Sequence, residues 1–471
     1  MKRRLLSFAA ACALSGCVVG PEYRKPAVPT AALEKLPFLP AGASDTSTPD
    51  DWWNLFKDQT LTRLVEQALR ANADIRVAEA NLDAARASFQ AVRNARLPAT
   101  TENVGTTYGR TVAQTQIADA LGRKADDGWL NSGGFELAYE VDLFGRVRRS
   151  QQAARADMDT VQADRDAVRL LVAAETSRAY MAICAISQQI EVASTSIDIA
   201  RQQNVIAGSR FEAGATTAYY VAGANTVLAR ARATLPVLQG ERRAAIFALS
   251  ALLGGTPGEI PPGVEQCRDL PRLREPVPVG DGGELLRRRP DIRRAERKIA
   301  AATARIGVAQ ADLFPRITLL GSVTTAAPEV VGLGSRPATS FGLGPFITWS
   351  FPNLGVARAR IHAARAQDRA ALADYDGTVL TALKEVEQAL ARYEAANERE
   401  RELGQASASA QTAFDLAGKQ FDAGAISRLD VLVAEQTLVD ARSAAAAAAT
   451  QRLDLLISLF KALGGGWKTS G

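Results

Sequence analysis

Alternation of apolar and polar residues predicts four β-strands in this chain. The clearest stretch is FELAYEVDLFG, which begins at Phe135 and places an apolar side chain at nearly every second position. Its other side carries three carboxylates, those of Glu136, Glu140 and Asp142. Similar alternation recurs elsewhere, and the predicted strands cover about 99–109, 133–144, 316–325 and 340–351. Each is close to the ~9–11 residues with which a tilted strand crosses a bilayer.

A long helical segment follows each pair of predicted strands. From Arg146 to Arg210 the chain is alanine-rich and lacks proline, so an unbroken helix there would be roughly 100 Å long. Apolar residues recur every seven positions in both segments: Ile183, Ile190 and Ile197 in the first, and Val431, Leu438 and Ala445 in the second. Heptad spacing with many small residues predicts tight coiled-coil packing.

Two copies of one plan make up most of the chain. ANADIRVAEA at 71–80 resembles RPDIRRAERK at 289–298, and the matched residues lie 217 positions apart: Asp74, Ile75 and Glu79 align with Asp291, Ile292 and Glu296. RFEAGATT from Arg210 aligns with QFDAGAIS from Gln420, at an offset of 210. In each of these last two motifs a glycine, Gly214 or Gly424, is suited to end a helix. We therefore predict two helical hairpins, with tips near 211–218 and 421–428.

The N-terminus has the layout of a secretory signal peptide, with Lys2, Arg3 and Arg4 before a short apolar run. Leu14-Ser15-Gly16-Cys17 resembles the bacterial lipoprotein signal box, in which cleavage before the cysteine is coupled to its acylation. We expect Cys17 to be the lipidated mature N-terminus. Val18 follows it, where lipoproteins retained in the inner membrane usually have aspartate, so the resemblance favours sorting to the outer membrane.

These features predict the domain organisation. It comprises a signal peptide at 1–16, a lipidated arm at 17–60, repeat 1 at 61–255, a Pro/Gly-rich linker at 256–283, repeat 2 at 284–465 and a tail at 466–471. The fold class is mainly α with a β-barrel part. No segment after the signal has 18 consecutive apolar residues, so we expect strands rather than helices to cross a membrane.

Composition excludes several other classes of protein. The formal net charge is +5, of which the signal peptide supplies three charges, and this balance argues against a nucleic-acid surface. One histidine, His362, excludes a multi-histidine metal site and is predicted to be a solvated surface residue. Cys184 and Cys267 would remain after Cys12 is removed and Cys17 is lipidated. One remaining pair is no disulfide framework, so we predict two free thiols.

Four strands cannot close a barrel, because about eight are the practical minimum. Open strand edges inside lipid would leave backbone groups unpaired. Several protomers must therefore pool their strands, and two copies would give eight while three would give twelve. The acidic residues of the stretch at Phe135 favour a wide, water-filled lumen, so we prefer three copies, with Glu136, Glu140 and Asp142 facing the lumen or its mouth.

The residues also carry a resemblance to a known family. The lipid box followed by VVGPEYRKP, together with DDWWNLFKD, RRPDIRRAE, LFPRITLLGS and the two hairpin tips, resembles the TolC-type outer-membrane efflux factors, lipoprotein branch (NodT/OprM-like). The resemblance implies a homotrimer with a twelve-strand barrel and an α-helical periplasmic tunnel, located in the bacterial outer membrane and extending into the periplasm. It also implies a passive exit duct for drugs or other small molecules, without catalytic activity.

The resemblance implies a gate and a docking surface at the tips. Aligning the tips places Asp430 at the aspartate ring and Phe421 at an aromatic that links helices; Arg428 supplies an alternative link. This chain has Val433 where some members have a second aspartate, and Tyr220 where some have an aspartate in copy one. A periplasmic adaptor would dock on Gly214, Ala215, Gly424 and Ala425, and pass compounds from an inner-membrane resistance-nodulation-division pump.

Rival interpretations remain open at this stage. The same architecture serves type I protein secretion, and a periplasmic adaptor lipoprotein also carries a helical hairpin, although only one. An enzyme is disfavoured because the sequence has no phosphate loop, metal-ligand cluster or nucleophile elbow. GLGSRPATSFGLG is glycine-rich but joins two predicted strands. We expect no metal and no cofactor beyond the covalent lipid on Cys17, and a solvated Asp430 is the alternative to a gate residue.

Overall fold

The computed structural model describes residues 18–27, 43–44, 48–268, 270–271, 273, 277–279, 287–349 and 354–465. The predicted signal peptide, Cys17 and the tail at 466–471 lie outside the described residues. Most of the described chain is helical, as the alanine content and heptad spacing predict.

Eight helices organise the described chain. They are α1 (Gln59–Ala71), α2 (Ala73–Asn94), α3 (Val112–Ala120), α4 (Arg146–Glu212), α5 (Ala218–Leu252), α6 (Pro290–Ala311), α7 (Leu354–Asp422) and α8 (Arg428–Ala462). By length and composition α4 could cross a membrane, but 56% of its apolar window is buried inside the protein, as in a core helix. It is the one such helix among the described residues.

Four long strands form one antiparallel sheet. They are β1 (Ala99–Gly109), β2 (Gly128–Val141), β3 (Arg316–Ala327) and β4 (Thr339–Thr348), in the spatial order β1-β2-β3-β4. Both outer strands, β1 and β4, have a described partner on one side only. A second, two-stranded parallel pair joins Ala43–Ser44 to Val277–Pro278.

The internal repeat is visible in the element bounds. α2 and α6 are both 22 residues long and begin 217 residues apart, at Ala73 and Pro290. α5 and α8 are both 35 residues long and begin 210 residues apart, at Ala218 and Arg428. Copy one differs by the extra helix α3 between its strands, which the sequence pattern did not predict.

The chain divides into two compact units, each of which draws on both repeats. The sheet unit contains 83–161 and 295–375 with the N-terminal residues up to Pro26, and the hairpin unit contains 27–82, 162–294 and 376–471. In the sheet unit Ile306 and Ala309 of α6 pack with Ile361 and Ala364 of α7. In the hairpin unit the fully buried Trp52 stacks on Phe460, with 4.8 Å between ring centroids.

The heptad seams pack as predicted within the hairpin unit. Ile183 and Ile197 of α4 are buried, and so are Val431 and Leu438 of α8. Burial of one apolar side chain every two turns stabilises these long helices, which intrinsic helix propensity alone would leave only marginally stable.

The cysteine prediction was wrong. Cys184 of α4 and Cys267 of the linker form a disulfide, with 5.0 Å between their Cα atoms and 83 residues between them in sequence. Both are at least 91% buried, and a disulfide agrees with a compartment outside the reducing cytosol. The number of cysteines could not predict this bond, because a disulfide requires the two Cβ atoms to be close together, and the fold of the linker decides where Cys267 lies.

Candidate functional site

The register of the sheet separates an apolar face from a polar one. Directly opposed residues share a face, and one row joins Phe135, Val323 and Phe341 across three strands. All three side chains are at least 50% exposed. The neighbouring row contains Glu136 opposite Ser322. One face of the sheet therefore carries most of the exposed apolar side chains, although Glu102 of β1 lies opposite Phe135 on that face, and the other face carries Glu136 and Ser322.

The acidic stretch after Phe135 ends differently from the prediction. β2 begins at Gly128 and ends at Val141, so Asp142 is not a strand residue and its assignment to a lumen-facing strand was wrong. Its carboxylate instead accepts hydrogen bonds from the backbone nitrogens of Val147 and Arg148, at 2.9 and 2.8 Å. An anion is favourable there because the first backbone N–H groups of a helix lack partners.

Glu140 lies on the polar face of β2, opposite Thr318 of β3. Both of its carboxylate oxygens pair with the guanidinium of Arg146, at 2.8 and 2.5 Å. This bidentate ion pair joins the end of β2 to the first turn of α4. Glu136 and Glu140 thus share a face as predicted, but Glu140 is already neutralised by a partner.

Aromatic rings mark both ends of the sheet. Tyr108 and Trp129 meet edge to face at one end, with centroids 5.2 Å apart. Beyond the other end Phe144 stacks on Phe314 at 4.5 Å. Transmembrane barrels carry aromatic girdles at both interfaces of the bilayer, and this placement has that pattern.

The residues directly after Cys17 lie in a fixed arm on the sheet unit, defined here as 18–26. Arg149 donates hydrogen bonds to the carbonyl oxygens of Val19 and Gly20, at 3.2 and 3.0 Å. Gly20 has a φ of +97°, and a Cβ there would lie 2.5 Å from the Cα of Gly307, so a side chain is excluded. Only glycine at both positions allows the arm to lie this close to α6.

The far end of the arm is held by the buried Glu296. Tyr23 donates a hydrogen bond to its carboxylate at 2.9 Å, and the Lys25 ammonium lies 3.3 Å away. Burial opposes ionisation, but the Tyr23 hydroxyl and the cations Arg297 and Lys25 together hold the pKa of Glu296 below its ordinary value. The arm therefore has a charged anchor as well as close backbone packing.

Both hairpin tips close with the same backbone geometry. Gly214 and Gly424 have φ values of +70° and +73°, and nothing lies within 4 Å of a Cβ built on either. The nitrogens of Ala215 and Ala425 donate back to the carbonyls of Arg210 and Gln420, at 2.8 and 2.9 Å. This is the left-handed glycine stop of a helix. All four predicted docking residues are exposed.

Phe421 lies between two guanidinium groups. The Cζ of Arg210 is 5.1 Å from the centroid of the ring and that of Arg428 is 5.2 Å away. Both distances fall within the range of a cation–π contact, so the aromatic at this position links α4, α7 and α8 without a hydroxyl group. Phe421 and Arg428, which the resemblance gave as alternative links, are in contact with each other, and Arg210 is a third member that the sequence did not indicate.

Arg428 is half-buried and faces Glu435 two turns along α8. Burial and the charge of Arg210 lower the pKa of Arg428, while Glu435 and Asp422 oppose this shift. Glu435 is 3% exposed, and no described donor reaches its Oε2 atom. Burial raises the pKa of Glu435 to about 7, against the opposing charge of Arg428. Sequence pattern missed Glu435, although it lies four residues from the seam residue Val431.

Asp430 does not join this cluster. It lies exposed in the first turn of α8, where its carboxylate accepts hydrogen bonds from the backbone nitrogen and hydroxyl of Ser427, at 2.8 and 2.6 Å. The Ser427 hydroxyl comes first among the groups that lower the pKa of Asp430, so its charge is retained. Asp430 and Ser427 form a capping box, which SRLD in the sequence could have indicated.

Tyr220, which stands where some members of the family have an aspartate, lies in the first turn of α5. It is 40% exposed, meets Tyr219 edge to face at 5.7 Å, and lines a cavity of about 230 Å³ whose walls also include Arg210 and Arg428. The tip region thus contains arginine side chains, aromatic rings and the glycines that end the helices. This arrangement is suited to holding helices together and to contact with other chains.

Comparison with known proteins identifies the fold. The family model described as "Outer membrane efflux protein" matches residues 64–255 and 282–465. The chain belongs to this family. It is 32% identical to the outer membrane protein OprJ of Pseudomonas aeruginosa over 467 residues, covering 97% of this chain and 94% of that protein. Nodulation protein T of Rhizobium leguminosarum bv. trifolii is 28% identical, with 96% and 95% covered.

A solved structure agrees with the sequence comparisons. The structure titled as the outer-membrane channel OprN superposes with a TM-score of 0.85 and 34% identity, covering 96% of this chain and all of that one. The protein is therefore an outer-membrane efflux channel of the NodT/OprM type, with a TolC-like fold. Membership of this family excludes a periplasmic adaptor as the class of the protein, and the matched structure is that of an outer-membrane channel.

Proposed function

We propose that three copies of this outer-membrane efflux protein assemble into one passive exit duct. The observation that carries the proposal is the sheet, which has an exposed apolar face and two outer strands, β1 and β4, each with one free edge. Backbone groups at a free edge cannot remain unpaired in lipid, so β4 of one copy pairs with β1 of the next. Three copies close a twelve-strand barrel, wide enough for a hydrated lumen.

The duct receives its cargo from a resistance-nodulation-division pump through a periplasmic adaptor. The exposed tips support this docking, because the small residues Gly214, Ala215, Gly424 and Ala425 leave the backbone accessible to another chain. The cargo comprises drugs or other small molecules, and its selection rests with the pump. Glu136 faces the lumen, and the tips with Asp430, Phe421, Arg428 and Tyr220 form the periplasmic gate.

Cys17 carries the lipid anchor of the mature protein. The fixed arm at 18–26 supports this role, because it begins one residue after Cys17 and is held by Arg149 and Glu296. Mass spectrometry of the purified protein tests the anchor, with an acylated N-terminal peptide beginning at Cys17 as the expected result. An unmodified Met1 terminus would contradict it.

The assembly is tested by native mass spectrometry from detergent micelles combined with chemical cross-linking in cells. We expect a trimer, and we expect an adaptor and a pump among the cross-linked partners. A Val104→Pro variant removes the backbone donor of an outer-strand residue and should reduce the trimer fraction, while Val330→Pro in the exposed 3₁₀ turn serves as the control. A stable monomer that still conducts would contradict the proposal.

A further inference from the structure

A cavity of about 600 Å³ lies within the hairpin unit, between α4, α5 and α8. Its walls include apolar side chains from all three helices: Val192, Val227, Leu238, Leu432 and Val439. A volume of this size lies in the range of sites for drug-sized ligands, which are mostly apolar with a few polar groups. Most of the wall could therefore hold the apolar body of an organic molecule.

The charges around this cavity are predominantly negative. Three carboxylates, those of Glu241, Glu435 and Asp440, line it against one guanidinium, that of Arg230. Gln189 and Ser196 of α4 are uncharged. Glu241, Asp440 and Arg230 are exposed to solvent, whereas Glu435 is 97% buried. The buried carboxylate therefore dominates the chemistry of the cavity wall.

Glu435 has an unmet requirement for a partner. Its Oε2 atom has no hydrogen-bond donor among the described residues. Arg428 acts on Glu435 electrostatically, but its guanidinium carbon lies over the ring of Phe421, 5.2 Å from the ring centroid. A buried, ionised carboxylate without a partner destabilises the fold, so a positively charged group that enters the cavity would stabilise the ionised form of Glu435.

We propose that this cavity is a binding site for an apolar organic cation, such as a protonated amine or a quaternary phosphonium compound, with Glu435 as its counter-ion. The apolar walls bury the body of the ligand, and the carboxylate sets the preference for positive charge. This site lies apart from Asp430, which is exposed and engaged with Ser427. It is independent of which pump supplies the duct, since binding requires only this chain.

Proton release accompanies binding to such a site. Glu435 is partly protonated near neutral pH when the cavity is empty, because burial raises its pKa to about 7. A bound cation lowers that pKa by direct attraction. Arg428 already favours ionisation of Glu435, and the other charged groups that line the cavity, Arg230, Glu241 and Asp440, are exposed to solvent. Binding should therefore release protons below the pKa of the empty site and release few above it.

Isothermal titration calorimetry on the full-length protein in detergent tests the site, with tetraphenylphosphonium as the cation and triphenylphosphine oxide as the neutral probe. We expect tetraphenylphosphonium to bind and Glu435→Gln to weaken it at least about tenfold. The matched control is Glu191→Gln, which alters an exposed carboxylate of α4 outside the cavity wall and should leave binding unchanged. Buffers of different ionisation enthalpy should report proton release at about pH 6 that disappears in Glu435→Gln.

Three outcomes would overturn the proposal. Equal affinity of wild type and Glu435→Gln for tetraphenylphosphonium would remove the carboxylate from the site. Equal affinity of wild type for both probes would reduce the cavity to an apolar surface. No binding by wild type, together with a smaller trimer fraction for Glu435→Gln in native mass spectrometry, would assign the cavity to a basic side chain of a second copy. Circular dichroism of each variant confirms that it is folded.

Discussion

Asp430 combines two properties, a negative charge and a helix cap. Its charge suits a ring of carboxylates around a threefold axis, and its oxygens cap α8 by accepting from Ser427. Three facing carboxylates would attract cations and repel one another, so other contacts such as Arg428 on Phe421 must hold the tip closed.

We predict that Asp430→Asn and Asp430→Ala both weaken cation selectivity in planar bilayers. Asparagine keeps an acceptor for Ser427, whereas alanine removes both cap and charge. If Asp430 lines the gate, both variants change cation preference, and Asp430→Ala also raises the conductance because the tip loosens. Unchanged selectivity in Asp430→Asn would leave Asp430 as a helix cap only.

Glu435 should make stability depend on pH. Its pKa is about 7 in the folded protein and about 4.5 when exposed, so the folded state binds the additional proton between these values. The contribution of Glu435 to stability is therefore greatest below about pH 4.5 and falls as pH rises towards 7, by on the order of 2–3 kcal/mol for each Glu435.

The pH effect is measured by comparing thermal unfolding of wild type and Glu435→Gln across this window. The glutamine variant cannot ionise, so its advantage over wild type should grow from about pH 4.5 and level off above about pH 7. Glu191→Gln provides the control with an exposed carboxylate. A constant difference between the two proteins at all pH values would contradict the raised pKa.

At the scale of elements, the two hairpins could be predicted from the sequence because their tips depend on the backbone freedom of glycine. Helix stops at Gly214 and Gly424 use left-handed backbone that glycine adopts readily, so both tips could be placed from sequence. The start of β2 was missed because GWLNSGG, from Gly128 to Gly134, lacks apolar alternation and is held by its neighbours β1 and β3. Side-chain burial such as that of Glu435 was also hidden, since it depends on which helices meet.

The disulfide is an element-scale feature with a direct test. Breaking the bond frees a loop of 83 residues that includes the first hairpin tip, so Cys184→Ser should lower stability by about 2–5 kcal/mol. Thermal unfolding of Cys184→Ser, Cys267→Ser and the double variant forms a cycle. All three should lose the same amount, because either substitution breaks the one bond. Additive losses would show two independent thiols.

Replacing the charged side chain of Glu296 by an uncharged one should release the arm at 18–26. Arg24 is exposed and precedes Lys25, whereas the Lys25-Pro26 bond resists trypsin, so Arg24 reports the mobility of the arm. Glu296→Gln weakens the anchor for Tyr23 and Lys25 and should speed cleavage after Arg24 several-fold. Glu329→Gln, at an exposed position, is the control. Equal cleavage rates in both variants would contradict an anchored arm.

At the scale of the whole molecule, the protein combines a four-stranded sheet that one copy cannot close into a barrel with hairpin tips that are suited to a partner. Apolar rows such as Phe135, Val323 and Phe341 explain why the sheet needs lipid, and its free outer strands explain why it needs further copies. The repeats allowed this plan to be predicted from sequence. The proposed number of three copies cannot be read from any one strand, because it depends on closure of the barrel.

The most direct measurement is the accumulation of a fluorescent pump substrate such as ethidium in a strain deleted for this gene. We predict that accumulation rises on deletion, that wild type restores efflux, and that Gly424→Trp at the exposed tip does not restore it despite equal protein in the outer membrane. Glu329→Gln should restore efflux as fully as wild type. Unchanged accumulation in the deletion strain, or full efflux with Gly424→Trp, would contradict an exit duct that is loaded through its hairpin tips.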